Sequence, residues 1–321
     1  VSGPNRNSRR HLFLADALSK LKPASDTSLF FVRALLKKGD EVFWATPSDL
    51  AWNGWGVKVQ AQKLGFCTLG ELPSSEQSEG FSVGDFHAVW IRKDPPFDEN
   101  YLKMCWLLEP YESSVQMFNR PSLLIRHHEK MIPWQMLQEK MIGQESLLPM
   151  LVSPKAHELE SFVKDFPSTH YVVKPWLGFA GHSVSKLGSK DLIEWGRSPQ
   201  FHDQNWIVQV YTPEIETAGD CRVLFWQGKK VGHFVRRPAA GHFVSNLAQG
   251  GSAESVNLSA AQDEIVRKLE AWLTKHSIDF AGADLIGPYL NEVNITSPTG
   301  LATVLQLEGK DVAEEICSWM P

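Results

Sequence analysis

The stretch Asp284-Leu285-Ile286-Gly287-Pro288-Tyr289-Leu290-Asn291-Glu292-Val293-Asn294-Ile295-Thr296-Ser297-Pro298 decides how this chain is read. Gly287-Pro288-Tyr289 is a turn signal between two apolar-rich runs, so the segment is predicted to form a β-hairpin. Pairing Ile286 with Leu290 across the turn sets Asp284 opposite Glu292, and the two-residue period of a strand turns Asn294 to the same face. Two carboxylates and an amide are the oxygen ligands that a hard cation such as Mg²⁺ takes while keeping some waters and substrate phosphates. A solvated acidic hairpin face has the same pattern, and only the rest of the chain separates the two readings.

The chain has 321 residues, 43% hydrophobic and 21% charged, which suffices for a sizeable core divided among two or three subdomains. A net charge of −5 leaves no basic footprint for nucleic acid, although 32 Lys and Arg remain for local anion sites. Cys67, Cys105, Cys221 and Cys317 show neither CxxC spacing nor a compact disulfide framework, so they are expected to be structural thiols in a reducing compartment. No apolar run approaches the ~18 residues of a membrane span. The polar start from Val1 to Arg10 lacks the apolar segment of a secretory signal, which points to a cytoplasmic protein without a membrane partner. Those first residues are set aside from the fold reading. The tryptophans are expected to pack in the core, with Trp52 and Trp55 in an exposed Gly-containing loop.

The first third alternates in the α/β manner. His11-Leu12-Phe13-Leu14 starts a strand, Ser28 to Lys38 has helical periodicity capped by Gly39, and Glu41 to Ala45 and His87 to Arg92 are strand candidates. Such a sheet binds ligands at the carboxyl ends of its strands, where Arg92 and Asp94 fall. From about Asn119 to Asn205, charged helices and short strands suggest a separate α+β lobe, with Tyr171 to Pro175 its clearest strand. From Trp206 onward strands dominate, Gln227-Gly228-Lys229-Lys230 is a hairpin turn, and helices are predicted over Ala260 to His276 and near Asp311 to Trp319.

Lys174 ends an apolar strand and precedes the loop Trp176-Leu177-Gly178-Phe179-Ala180-Gly181-His182-Ser183. A lysine beside a loop of free backbone N–H groups suits phosphates, and an ordinary surface lysine before a turn fits the same residues. Lys130, in His127-His128-Glu129-Lys130, is uninformative alone, and the two histidines point apart on any regular element, so they are not read as a metal pair. Gln209-Val210-Tyr211-Thr212-Pro213 runs from strand to loop, where backbone groups and an aromatic can accept an adenine. Arg222, in Asp220-Cys221-Arg222, suits a transferring phosphoryl group or a structural ion pair. Arg236-Arg237 and Asn246-Leu247-Ala248-Gln249-Gly250-Gly251 add cations and a second loop suited to anions.

Taken in order, Lys130, Lys174-Pro175, Gln209 to Pro213, Asp220-x-Arg222, Asn246-Leu247, Asp284 and Glu292-x-Asn294 resemble the ATP-grasp ligases, and within them the bacterial glutathione synthetases. Arg92-Lys93-Asp94-Pro95-Pro96-Phe97-Asp98 and Asn291 to Thr299 resemble two signatures of that family, and Asp16, Lys22 to Ser28 and Asn119-Arg120-Pro121 fall where its N-terminal motifs lie. The resemblance implies an ATP-grasp fold of mixed α/β and α+β class. Its parts would be an N-terminal α/β pre-ATP-grasp domain (1–118), a central lid subdomain (119–205) and a C-terminal domain with the Mg-ATP site (206–321). It further implies an ATP-dependent ligase joining γ-glutamylcysteine to glycine through an acyl phosphate, in a homo-oligomer. ATP would be held by Lys130, Lys174, Gly178, Gly181, Ser183, Gln209, Val210 and Tyr211, and Mg²⁺ by Asp284, Glu292 and Asn294. Arg222 and Asn294 would serve the chemistry, and Asp16, Arg92, Arg222, Arg236 and Ser297 the substrate. Two departures stand out. Leu177-Gly178-Phe179-Ala180-Gly181 replaces a family Asp-Gly-x-Gly-Gly, and Val244 stands where an arginine precedes x-Asn-Leu, so closure over ATP is expected to be weaker. A ligase for another acceptor, or a weakly catalytic nucleotide-binding homologue, is the competing expectation.

Overall fold

A computed structural model describes residues 8–178, 184–202, 205–239 and 250–320. The first sheet runs in the order Leu50–Asn53, Gly56–Lys63, Glu41–Ala45, Arg10–Leu14, Ala88–Ile91 and Gln116–Phe118, with Glu79–Ser82 also paired to Gly56–Lys63. Its four strands from Glu41–Ala45 to Gln116–Phe118 pair in parallel. Parallel strands covered on both faces read as continuous apolar runs, and Leu12, Phe13 and Leu14 are all fully buried. The helix Thr27–Lys38 forms as its periodicity predicts. Asp26 caps its start by accepting from Ser28 N and Leu29 N, and Gly39 ends it at φ 93°.

The second sheet is antiparallel, in the order Ser185–Gly188, His170–Pro175, Trp206–Val210, Met150–Val152. Sequence reading groups Trp206–Val210 with the strands that follow it. Instead this strand pairs with His170–Pro175 and Met150–Val152, so the boundary of the small sheet falls after Val210 rather than at residue 205. The reason is pattern: Val208 is buried with Tyr171, Val173, Leu159 and Phe201 beneath helices Ala156–Asp165 and Ser189–Trp195.

The third sheet is also antiparallel, in the order Ser252–Glu254, Lys229–Arg237, Asp220–Trp226, Phe280–Ile286, Tyr289–Asn294. Its first tight turn is Gln227-Gly228, both at positive φ (46° and 73°), as a two-residue hairpin requires. One face carries Cys221, Val223, Ala283, Leu285 and Val293 into a core shared with Ile265, Val266, Leu269 and Trp272 of the helix Ala260–Lys275. The opposite face carries Asp220, Arg222, Asp284, Glu292 and Arg236, because these positions pair directly across neighbouring strands.

The hairpin register corrects one sequence expectation and upholds another. Asp284 does stand opposite Glu292, but Ile286 pairs with Tyr289 and Leu285 with Leu290, around the two-residue turn Gly287-Pro288. A bulge between Asp284 and Leu285 absorbs the difference. Leu290 and Val293 are three residues apart, so a regular strand would turn them to opposite faces. The bulge lets both enter the core, at 1% and 0% exposure, while keeping the acidic pair in register.

The first and third sheets are joined by aromatic packing and a polar clamp. Trp90 stacks on Phe13 at 5.2 Å and on Trp226 at 5.9 Å. Buried Asn119 donates Nδ2 to Phe280 O and Ile295 O and accepts at Oδ1 from Asp279 N and Phe280 N. Trp52 and Trp55 are exposed as expected, at a hairpin between Leu50–Asn53 and Gly56–Lys63 rather than in an irregular loop. All four cysteines are free and buried. Among the described residues no helix is long and apolar enough to cross a membrane.

Candidate functional site

The charged face of the third sheet is built around Asp284. Arg222, its neighbour on the adjacent strand, donates Nε to Oδ1 at 2.5 Å and Nη2 to Oδ2 at 2.8 Å. Arg236 Nη2 reaches Oδ1 at 2.9 Å and also pairs with Asp220. Burial would push the Asp284 carboxyl up, but the Arg222 and Arg236 guanidiniums outweigh it and hold it at about 2. Burial carries Asp220 to about 7 against the pull of Arg236. Glu292 is also raised, first by burial and then by the negative charge of Glu129. Gly282 makes room for this constellation: a Cβ there would lie 3.3 Å from Arg222 Nη1 and from Pro298 Cβ.

Lysines approach from the other elements. Lys130 is buried, pairs with Glu129 and donates to Gly178 O at 2.8 Å. Burial opposes its charge, but Glu129 and Glu292 raise its pKa overall. The segment is fixed to the hairpin, since Val293 N donates to Glu129 O at 3.0 Å. Lys174 stands on the small sheet with only Gln209 Oε1, at 3.2 Å, as its hydrogen-bond partner among the described residues. Burial lowers its pKa, although Glu292 pulls the other way. Lys130, Lys174 and Glu292 therefore converge from three parts of the chain.

The adenine expectation at Gln209 to Tyr211 is met unevenly. Gln209 turns toward Lys174, but Val210 N is taken by Pro149 O and Tyr211 N by His170 O. The Tyr211 ring lies 3.7 Å beneath Lys186 Nζ, and its hydroxyl is bound to Glu216. Gly178 occupies a tight turn, where a Cβ would meet Pro175 Cγ at 2.5 Å. Gly181, Ser183, Ala180, Val244 and Asn246-Leu247 lie outside the described residues. His127 and His128 do diverge: His127 bonds Gln135, and His128 stacks on Trp176 at 4.2 Å, burial taking it down to about 4.

The predicted substrate residues meet at the loop after the hairpin. Ser297 Oγ donates to Asp94 Oδ1 at 2.5 Å, Arg92 Nη2 to Pro298 O at 2.8 Å, Arg222 Nη1 to Thr299 O at 3.2 Å, and Gly300 N to Thr27 Oγ1 at 3.3 Å. Four consecutive residues are thus held by Asp94, Arg92 and Thr27 of the N-terminal part of the chain and by Arg222. Arg92 is buried, bonded also to Ser28 Oγ and stacked over Phe280, so it acts as a clasp between parts of the chain. Asp16 stands nearby in an ion pair with Lys93. Sequence reading placed Asp94 at the ligand-binding edge of the first sheet without a specific role, and assigned none to Glu129 or Lys93. Neither periodicity nor spacing marks Glu129 or Lys93, because their partners are brought close only by packing.

As a magnesium set, Asp284, Glu292 and Asn294 pass the chemical test. Asp284 stays ionised, and its three arginine contacts leave one of roughly four lone-pair positions on Oδ2. Glu292 has no hydrogen-bond partner among the described residues, and its half-buried position beside Glu129 and Asp284 opposes its charge, which a cation would favour. Asn294 Oδ1 accepts from Thr296 N and Thr296 Oγ1 as a turn contact, at 3.1 and 3.2 Å. Among the described residues no group of three or more His, Cys, Asp or Glu forms a metal cage, so any ion here would draw further ligands from a bound substrate.

Comparison with known proteins identifies the family. Residues 10–125 match the N-terminal domain of prokaryotic glutathione synthetase and residues 139–309 its ATP-grasp domain. The chain is 32% identical over 313 residues to glutathione synthetase of Prochlorococcus marinus subsp. pastoris, covering 96% of this chain and 97% of that one. It is 33% identical over 315 residues to glutathione synthetase of Parasynechococcus marenigrum, covering 95% and 97%. Among solved structures, D-cycloserine synthetase DcsG shares the fold with a TM-score of 0.67 at 14% identity, over 96% of this chain and 97% of that one. The chain belongs to the prokaryotic glutathione synthetase family of ATP-grasp ligases, and it is an ATP-dependent ligase.

Proposed function

We propose that the chain joins γ-glutamylcysteine to glycine, with ATP phosphorylating the cysteinyl carboxylate and the glycine amine displacing phosphate from the acyl phosphate. The observation that carries this reading is the convergence of Lys130 and Lys174 on Glu292, beside the Arg222–Asp284–Arg236 array. A triphosphate and a carboxylate repel one another. Lys130 and Lys174 supply fixed positive charge for the phosphates, and Arg222 and Arg236 supply it for the carboxylate and the phosphoryl group in transfer. Their buried setting gives those charges more effect than they would have in water. Burial opposes the charge of Lys174, whose partner among the described residues is Gln209, and a bound phosphate would favour that charge.

Asp284, Glu292 and Asn294 would hold the magnesium ion, which when bound supplies charge neutralisation on the phosphate oxygens. The chain's own part is positioning. The clasp on Ser297 to Gly300 fixes Arg222 relative to the N-terminal sheet, where the peptide substrate would lie. The relatives named glutathione synthetase at 32% and 33% identity support the choice of substrates.

The test is ADP release with γ-glutamylcysteine against a panel of amino acids. Release that needs glycine and yields the tripeptide supports the reading. Release that needs a different acceptor, with none for glycine, moves the assignment to another ligase of this fold.

A further inference from the structure

We infer that the cleft between the helix Ile132–Gln138 and the edge strand Met150–Val152 is a binding site for an amphipathic organic anion, a single carboxylate or sulfonate on an apolar body. None of its wall residues is among those proposed for ATP, magnesium or substrate, so the inference stands apart from those assignments.

The walls follow from periodicity. Met131, Trp134, Gln135 and Gln138 are spaced i, i+3, i+4 and i+7, which puts them on one face of the helical segment. Met150 and Val152 alternate along a strand that pairs with Trp206–Val210 on one side only, so they share a face at the margin of the second sheet. Between the two faces lies a cavity of about 580 Å³. Ligand pockets span about 300–1,000 Å³ and gather where separately cored parts of a chain meet. The small sheet has its own core around Leu159, Tyr171 and Val208, and the helix packs through Ile132 and Met136 into the core of the rest, so this cleft is such a meeting. Trp134 remains half-buried at its wall, and the two methionines give that wall a flexible, polarisable lining that can follow the shape of a ligand.

Charge then selects an anion. Arg126 ends the helix Pro121–Arg126, lines the cavity and is exposed, with no ion pair or side-chain hydrogen bond among the described residues. Glu139, the acid on the same wall, is already matched. Lys275 Nζ lies 2.6 Å and His276 Nε2 3.0 Å from its carboxylate, and the hydrogen bond from Lys275 above all holds it at about 2. His127 is buried beside Arg126 with Nδ1 on Gln135 Oε1 at 2.8 Å, and burial lowers its pKa, so at neutral pH it adds no charge.

Arg126 is thus the wall charge that lacks a counter-ion among the described residues. An anion whose apolar body covers Trp134 supplies one through a charge-assisted contact. A cation of the same shape would meet Arg126 without compensation, and a neutral body would gain apolar contact alone.

The test is a fluorescence titration of the full chain with 8-anilinonaphthalene-1-sulfonate and with N-phenyl-1-naphthylamine, the same rings without the sulfonate. Saturating Mg-ADP is present throughout, so that the nucleotide site is occupied. The sulfonate dye should bind about tenfold more tightly than the neutral one, on the scale of a charge-assisted contact. Arg126→Gln should bring the two dyes within about twofold of each other by weakening the sulfonate dye alone. Val152→Trp, which fills the cavity, should weaken both by about tenfold or more, and Trp134→Ala serves if that variant does not fold. Equal affinity of the wild-type chain for the two dyes, dye binding that these variants leave unchanged, or no dye binding at all overturns the inference and leaves the ligase reading intact.

Discussion

Arg222 and Asp284 stand opposite each other on neighbouring strands and share a fork of two hydrogen bonds, Nε to Oδ1 at 2.5 Å and Nη2 to Oδ2 at 2.8 Å, with both side chains buried. The same arginine reaches Thr299 O, so one guanidinium orients the carboxylate proposed for the metal and also ties down the loop that follows the hairpin.

Removing that arginine should therefore affect stability as well as chemistry. Losing one partner of a buried pair costs about 3–5 kcal/mol, and Arg236 remains on Asp284, so Arg222→Met should fall near the lower end. The double variant Arg222→Met with Asp284→Asn should be less destabilised than the sum of the two single variants. Denaturant unfolding of all four proteins measures the coupling, and simple additivity would contradict the pairing.

Glu292→Ala should abolish ADP release and leave the fold intact. The carboxyl is raised by burial and by Glu129, so it contributes no favourable ionisation to folding, and under the proposed role its contribution would be to hold a cation. Full activity in this variant, with unfolding unchanged, would remove Glu292 from the metal set.

Gly282→Ala places a methyl group 3.3 Å from Arg222 Nη1 and from Pro298 Cβ. The contact requires a displacement of a few tenths of an ångström in Arg222, the group proposed to face the substrate, so kcat should drop several-fold with little change in the unfolding midpoint. An unchanged kcat would show that Arg222 tolerates the shift.

Asn119→Ala should be one of the more destabilising single changes in the chain. It leaves Asp279 N, Phe280 N, Phe280 O and Ile295 O without the side chain that satisfies them, and unsatisfied buried groups carry about 1–3 kcal/mol each before water relieves some of them. Asn119→Asp should be no better, because it aims an acceptor at two carbonyls. Equilibrium unfolding tests both.

Asp279 gives a pH signature. Burial raises its carboxyl from 3.8 to about 6, so the folded protein holds a proton there that the unfolded chain has lost. The destabilisation is absent below about pH 4, grows as pH rises toward 6, and stays constant above, at on the order of 2–3 kcal/mol. Asp279→Asn should accordingly raise the melting temperature at pH 8 and leave it nearly unchanged at pH 4. Equal shifts at both pH values would rule out titration of this group as the cause.

Much of this protein was determined by its sequence alone. Helical periodicity between Asp26 and Gly39, the Gln227-Gly228 turn and the apolar runs at Leu12 and Val89 are local signals, and each became the element it predicts. Asp284 opposite Glu292 was legible as well, because turn chemistry and strand alternation are short-range rules. The bulge at Leu285 was not, since it answers to where Leu290 and Val293 find a core supplied by the helix Ala260–Lys275. Nor was the pairing of Trp206–Val210 with the small sheet, which depends on the side chains beneath Val208. Only tertiary structure brought Lys93 to Asp16, 77 positions away, and Arg92 to Pro298, 206 positions away. Secondary structure is written in neighbouring residues, whereas these polar contacts depend on three-dimensional packing and on the hydrogen-bonding needs of groups far apart in the chain.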